Sequence, residues 1–146
     1  MTGETDPRFA HFDESTALAL GLALVELAQA DSLPVVINIR SATRCYFHAA
    51  LPGSTPLNDD WARRKSNTVL KYHQSSLAVG QAKAVKGADV TSDGLSPAEY
   101  ATHGGAVPIR LTNGLMVAVA TVSGLPQLED HALVLRGIAK VLGSAG

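Results

Sequence analysis

Ala106-Val-Pro-Ile-Arg-Leu-Thr-Asn-Gly-Leu-Met-Val-Ala-Val-Ala-Thr-Val122 is the stretch on which the fold turns. Its Asn113-Gly114 step is the strongest short-range hairpin signal a sequence carries, and it predicts a two-residue turn. The arm before it, Ala106 to Leu111, contains Pro108, which has no amide to donate. That arm therefore belongs at an edge, or where the missing amide is not needed. The arm after it, Leu115 to Val122, is apolar on both faces and reads as an interior strand. A hairpin with one fully buried arm needs helices or a second sheet packed over it.

A second hairpin is readable upstream. Pro34 introduces the β-branched run Val35-Val-Ile-Asn-Ile39, and the segment Arg44 to Leu51 alternates Cys45, Phe47 and Ala49 against Tyr46, His48 and Ala50. Between the hairpins, a helix is predicted from Asn58, as its cap, to about Tyr72, with Asp59 and Asp60 in the first turn. Residues 83–95 lack periodicity and read as a surface connection. Ser96-Pro-Ala-Glu99 is a capping box with Pro at the first helical position, predicting a short helix that stops at His103-Gly104-Gly105.

Asp13 or Ser15 opens a helix to about Ala30. Leu18, Leu20, Leu22, Leu24 and Leu27 make it apolar nearly all round, as in a helix covered on two sides. Pro126 opens the last helix, which runs to about Leu142. The expectation is an α+β fold: a mainly antiparallel sheet of four to five strands flanked by helices. It forms one domain over residues 9–142, with 1–8 and 143–146 as flexible ends.

The bulk numbers fit that reading. A chain of 146 residues with 46% hydrophobic content buries a core without staples. Twelve basic and thirteen acidic residues leave a net charge of −1, far from the basic excess of a nucleic-acid binder. The single Cys45 excludes an intrachain disulfide and any multi-cysteine metal site, and its place in a strand predicts a small buried hydrophobe. No confident metal site is readable. The N-terminus is polar and the longest apolar run, Ala17 to Val25, is half a membrane span, so a cytoplasmic protein without membrane contact is expected. HExxH, CxxCH, P-loop and GxSxG motifs are all missing.

Chemistry concentrates in Asn58-Asp-Asp-Trp-Ala-Arg-Arg-Lys-Ser-Asn67. Asp59 and Asp60 each stand four residues before an arginine, Arg63 and Arg64, the favourable orientation for helical ion pairs. Lys65 has Trp61 in that place instead. It either lies along the indole as a snorkelling side chain or recognises an anion, with Asn67 reaching the same pocket mouth. His103-Gly104-Gly105 has two readings as well: a helix stop with Gly104 as left-handed cap, or backbone amides cradling an anion beside an imidazole. His131 falls on the core face of the last helix near its N-terminus. A core histidine or a neutral acceptor both fit there.

Trp61-x-x-x-Lys65-x-Asn67, Ser75-Ser76, His103-Gly-Gly-Ala-Val-Pro-Ile109 and Val122-Ser-Gly-Leu-Pro-Gln-x-x-Asp-His131 occur in this order. Together they resemble an uncharacterised bacterial and fungal family of haem-degrading-domain proteins, similar to GlcG, HbpS and the PduO C-terminal domain. The resemblance implies a profilin-like fold and homo-oligomers, and brings haem into consideration as the cofactor. It also implies a pocket narrowed in this chain, where Ala118 replaces an expected glycine of the central strand.

Three functions stay open at this level. The first is a homo-oligomer binding a small anionic ligand, haem or a related tetrapyrrole included, through Trp61, Lys65, Asn67, His103, Gly104, Gly105 and His131. The second is an enzyme with His103 or His131 as acid–base. The third is an adaptor without small-molecule chemistry.

Overall fold

The structure, a computed structural model, describes residues 7–145. In chain order it contains β1 (Arg8–Phe9), α1 (Glu14–Ala30), β2 (Val36–Arg40), β3 (Cys45–Ala50), α2 (Pro56–Tyr72), α3 (Ser76–Val85), a 3₁₀ turn (Val90–Asp93), β4 (Ala106–Leu111), β5 (Met116–Ser123) and α4 (Gln127–Ala145). Of the ends expected to be flexible, Arg8 lies in β1 and α4 continues through Ala145, while residues 1–6 and 146 lie outside the described residues. Among the described residues no helix is long and apolar enough to cross a membrane.

The strands form one sheet in the order β1-β4-β5-β2-β3. Both expected hairpins are present, and they join through an antiparallel β2–β5 ladder. The short β1 runs parallel to β4, so the sheet is mixed rather than wholly antiparallel. On the edge strand β3 the register skips Tyr46, a bulge, and Cys45 beside it is exposed rather than buried as expected. β5 is central, with Ala118 to Ser123 buried, as its two-sided apolar pattern requires. The turn differs from the expectation. Leu111 N–H bonds Leu115 O, leaving the three residues 112–114 in the loop, and only Gly114 takes positive φ, +92°. A two-residue type I′ turn needs positive φ at both positions, whereas a three-residue hairpin needs it only at the glycine.

Helices α1 and α4 cover one sheet face. Leu20, Leu24, Leu133, Val134 and Ile138 pack there on Ile37, Ile39, Ile109, Ala120 and Val122. Helix α2 covers the other, over Ala106 and Val119. The α1 helix starts on Asp13, whose carboxylate accepts from Thr16 N–H. Its Leu18 and Leu22 remain about half exposed, so one of its apolar sides is uncovered within the chain.

Local capping explains three further departures. Thr55, not Asn58, caps α2: Thr55 Oγ1 accepts from Leu57 N–H, and Asn58 Oδ1 accepts from Thr55 N–H to close a reciprocal box. Helix α3, unforeseen, starts on Ser75 and buries little beyond Ser76 and Val79, so it shows no apolar stripe to find. Its Ser76 Oγ accepts from Ala106 N–H and so ties α3 to the start of β4. The predicted helix at Ser96 is only a turn, because Glu99, needed to close its capping box, is drawn off by Arg63 at 2.7 Å.

Candidate functional site

Lys65 sits midway along α2 on the side facing β5, and it is 4% exposed. An ammonium this deep requires an acid, and Asp130 of α4 provides it, with Lys65 Nζ donating to Asp130 Oδ2 at 2.9 Å. Lys65 Nζ also lies 3.4 Å from Val122 O. Asp130 accepts two backbone amides besides, Leu125 N–H at 2.9 Å and Gly124 N–H at 3.3 Å. Burial outweighs the pull of Lys65 and of these amides, and holds the carboxyl of Asp130 above its ordinary range. Lys65 therefore does not snorkel along the indole: its partner is a carboxylate of the last helix rather than one on its own helix.

The pair forms the floor of a cleft of about 230 Å³ whose walls include Asn58, Trp61, His103, Gly124 and Gln127. The 103–105 loop closes one side. Gly104 N–H donates to Gln127 Oε1 at 2.9 Å. Gly105 has φ +139°, and a Cβ there would stand 2.5 Å from Val122 O and 2.8 Å from Lys65 Nζ. Only a glycine lets the backbone cross the ion pair at that distance. The left-handed residue is thus Gly105, not Gly104, and the loop follows no helix.

At the rim, the exposed His103 ring meets Trp61 edge-on, with centroids 4.9 Å apart and planes at 80°. Arg64, rather than Lys65, makes the cation–π contact, its guanidinium 4.5 Å from the indole centre. Arg64 also donates to Pro97 O, while Arg63 pairs with Asp60 and Glu99 and Asp59 bonds His48. None of the anticipated four-residue ion pairs forms, because both acids and both bases find partners elsewhere.

Trp61, Lys65, His103, Gly104 and Gly105 therefore come together. Asn67 does not join them. It lies on the far side of α2, where its Oδ1 accepts from Arg40 and its Nδ2 donates to Glu99 O. His131 is buried next to Asp130, 7% exposed, and is not part of the cleft wall, so the two histidines do not form an acid–base pair. Asp130, Asn58 and Gln127 were missed. The signal for Asp130 was Lys65 itself, since a lysine on an apolar stripe calls for a buried acid. Ala118 packs in the core between α1 and α4 and leaves the cleft width unaffected.

Residues 12–139 match the family model described as "Haem degrading protein HbpS-like". The chain is 43% identical to a UPF0303 protein of Acidobacterium capsulatum over 136 residues, 92% of this chain and 82% of the relative. It superposes on the crystal structure of Ybr137w with a TM-score of 0.85 at 31% identity, covering 92% of this chain and 82% of that one. The PduOC:Heme complex has the same fold, with a TM-score of 0.75 at 21% identity over 88% of this chain and 93% of that one.

Proposed function

The chain belongs to the HbpS-like haem degrading family, and on that premise we propose that it is a cytoplasmic, self-associating binding protein. Its ligand is a small anion-bearing molecule held in the cleft between α2, the 103–105 loop and the start of α4. One observation carries this reading: the buried Lys65–Asp130 pair floors an open cleft instead of being sealed into the core. Burying an ion pair is a poor way to gain stability, and a buried ion pair that borders a cleft is a candidate functional group. The N-terminus of α4 adds partial positive charge beside it, and the Trp61 ring offers an apolar wall.

Trp61 is the only tryptophan of the chain, so its emission reports on the cleft. Titration with citrate, succinate and phosphate is expected to give a saturable change for at least one, weakened at least about tenfold by H103A, the loss of one rim contact. If none of these anions alters the emission or the melting temperature at millimolar concentration, the reading fails.

Haem calls for a different place on the molecule. A cleft of about 230 Å³ is below the usual span of pockets for drug-sized ligands, roughly 300–1,000 Å³, and does not enclose a macrocycle. A second groove of about 870 Å³, walled by Phe9, Leu22 and Leu142 among others, has the size and the apolar surface. His11 in that groove would provide an iron ligand, and Arg8 and Lys140, the latter ion-paired with Glu26 of the same groove, would meet the carboxylates. Bound there, haem supplies iron redox chemistry. A Soret shift on titration with haemin, lost in H11A and kept in H103A, supports this second reading, and the reverse pattern removes it.

A further inference from the structure

The hydrogen-bonding side chains that line the cleft are unequally committed. Their acceptors are bound to the chain itself. Asn58 Oδ1 takes the Thr55 N–H, Gln127 Oε1 takes the Gly104 N–H, and Asp130 takes Lys65 and the amides of Gly124 and Leu125. These bonds also fix which way round the two amide side chains lie. A backbone N–H can only donate, so it meets the amide oxygen, and the NH₂ group is left over in each case. Neither Asn58 Nδ2 nor Gln127 Nε2 has a partner among the described residues, and the indole N–H of Trp61 has none either.

Ser123 adds a buried donor. Strand alternation along β5 turns Val119, Thr121 and Ser123 toward α2, and Ala118, Ala120 and Val122 toward α1 and α4. Ser123, the last residue of β5, is 2% exposed and lines the cleft. Its hydroxyl makes no hydrogen bond among the described residues. Buried hydroxyls are ordinarily bonded, and one left open in the wall of a cleft points to a ligand. Charge then decides the kind of ligand. Lys65, the one Lys or Arg of the wall among the described residues, is neutralised by Asp130, and Arg64 behind Trp61 is held by Pro97 O. A phosphate group, about −1.5 to −2 at neutral pH, would stand beside Asp130 without the cation that phosphate sites supply. A carboxylate brings a single charge spread over two oxygens, which the left-over donors and the partial positive charge of the α4 N-terminus can meet.

We propose that the cleft selects the carboxylate group of a small organic acid over phosphate, with Ser123 and Gln127 as the specificity-determining donors. This rests on the cleft being the ligand site argued above. Asn58 Nδ2 and the Trp61 N–H supply further donors, and the rest of the acid lies along the indole and Leu125 toward solvent. The volume of about 230 Å³ holds roughly seven or eight groups the size of a water molecule, which suits a four-carbon acid.

The test is titration of the folded protein with succinate, its diamide and inorganic phosphate, read by Trp61 emission. Succinate is expected to saturate at least about tenfold tighter than the other two. S123A should weaken succinate about tenfold, the loss of one hydrogen bond to a charged group. Q127E keeps an acceptor for Gly104 N–H but exchanges the NH₂ donor for an oxygen, and Gln127 is exposed, so the core is untouched. It should abolish succinate binding at millimolar concentration while the diamide, which brings N–H donors of its own, binds at least as well as before. Thr121, one step deeper on the same face, is fully enclosed with an unpartnered hydroxyl and stands outside the cleft wall. T121V should therefore leave the succinate titration unchanged, which separates a contact with ligand from altered packing. Phosphate binding as tightly as succinate, S123A and Q127E titrating like the unsubstituted protein, or T121V weakening succinate as much as S123A overturns the carboxylate assignment even where the cleft binds anions. Silence toward succinate, citrate and phosphate alike removes the cleft as a ligand site, and this assignment with it.

Discussion

Replacing Lys65 by Met leaves Asp130 as a buried carboxylate with only its two amide partners, Gly124 and Leu125. Removing one member of a buried ion pair costs about 3–5 kcal/mol, and the surviving amide bonds place K65M near the lower figure, about 3 kcal/mol. D130N keeps an acceptor for Leu125 N–H but abandons the ammonium, whose other contact is a 3.4 Å approach to Val122 O. It should cost about as much. The double variant K65M/D130N removes both charges while keeping the amide acceptor. It should be no worse than either single variant, a coupling of about 3 kcal/mol, the upper end for contacting residues. Urea unfolding at neutral pH measures all four proteins of the cycle. The pH dependence has a definite sign. Asp130 titrates higher folded than unfolded, so its contribution is fully present below the unfolded carboxyl range and declines as pH rises through the folded value. Without Lys65 the folded value rises further, and the K65M deficit should shrink between pH 7 and about 5 while that of D130N does not. Single costs below about 1 kcal/mol, or a double cost equal to the sum, would refute the account of the pair as mutually dependent buried charges.

Other expectations are more direct. G105A introduces a Cβ against Val122 O and Lys65 Nζ at a positive-φ position, and should lower stability by about 3 kcal/mol in the same urea assay. G114V forces a β-branched residue into φ +92° and should cost about 1–2 kcal/mol, with an unchanged melting temperature counting against the hairpin register. Light scattering at micromolar concentration should give a mass above the 15.2 kDa of one chain, since α1 leaves Leu18 and Leu22 uncovered.

The two hairpins, α1 and α4 were legible because their signals are local: Asn113-Gly114, the Pro34 and Pro126 boundaries, and Asp13 as cap. The sheet order was not, since the β2–β5 ladder joins segments with no common sequence feature. Within the site, Trp61, Lys65, His103 and Gly105 were legible because each is an odd residue in its setting. Asn67 was misplaced for a geometric reason: residues two apart on a helix point to nearly opposite sides, so Asn67 could not share the face of Lys65. His131 fails likewise beside Asp130, one residue and about 100° round the helix. Cys45 was misread because alternation fixes a side chain's face only while the register holds, and the bulge at Tyr46 breaks it.

That β2–β5 ladder also governs how the chain reaches its native state. Each hairpin closes a short loop, and α1, α2 and α4 are local, so these pieces form within the fast regime of helices and hairpins. Val36 meets Ser123, however, only after the whole of α2, α3 and the 90–105 segment has been gathered between them. The entropy of closing that span is spent before any ladder bond is made. Docking of the two hairpins is therefore the slow event, and β2 and β5 are the strands whose Val, Ile and Ala surfaces stay open longest. During crowded synthesis, strand-mediated aggregation is expected at the centre of the sheet rather than at its edges, until residues 116–123 have emerged and paired.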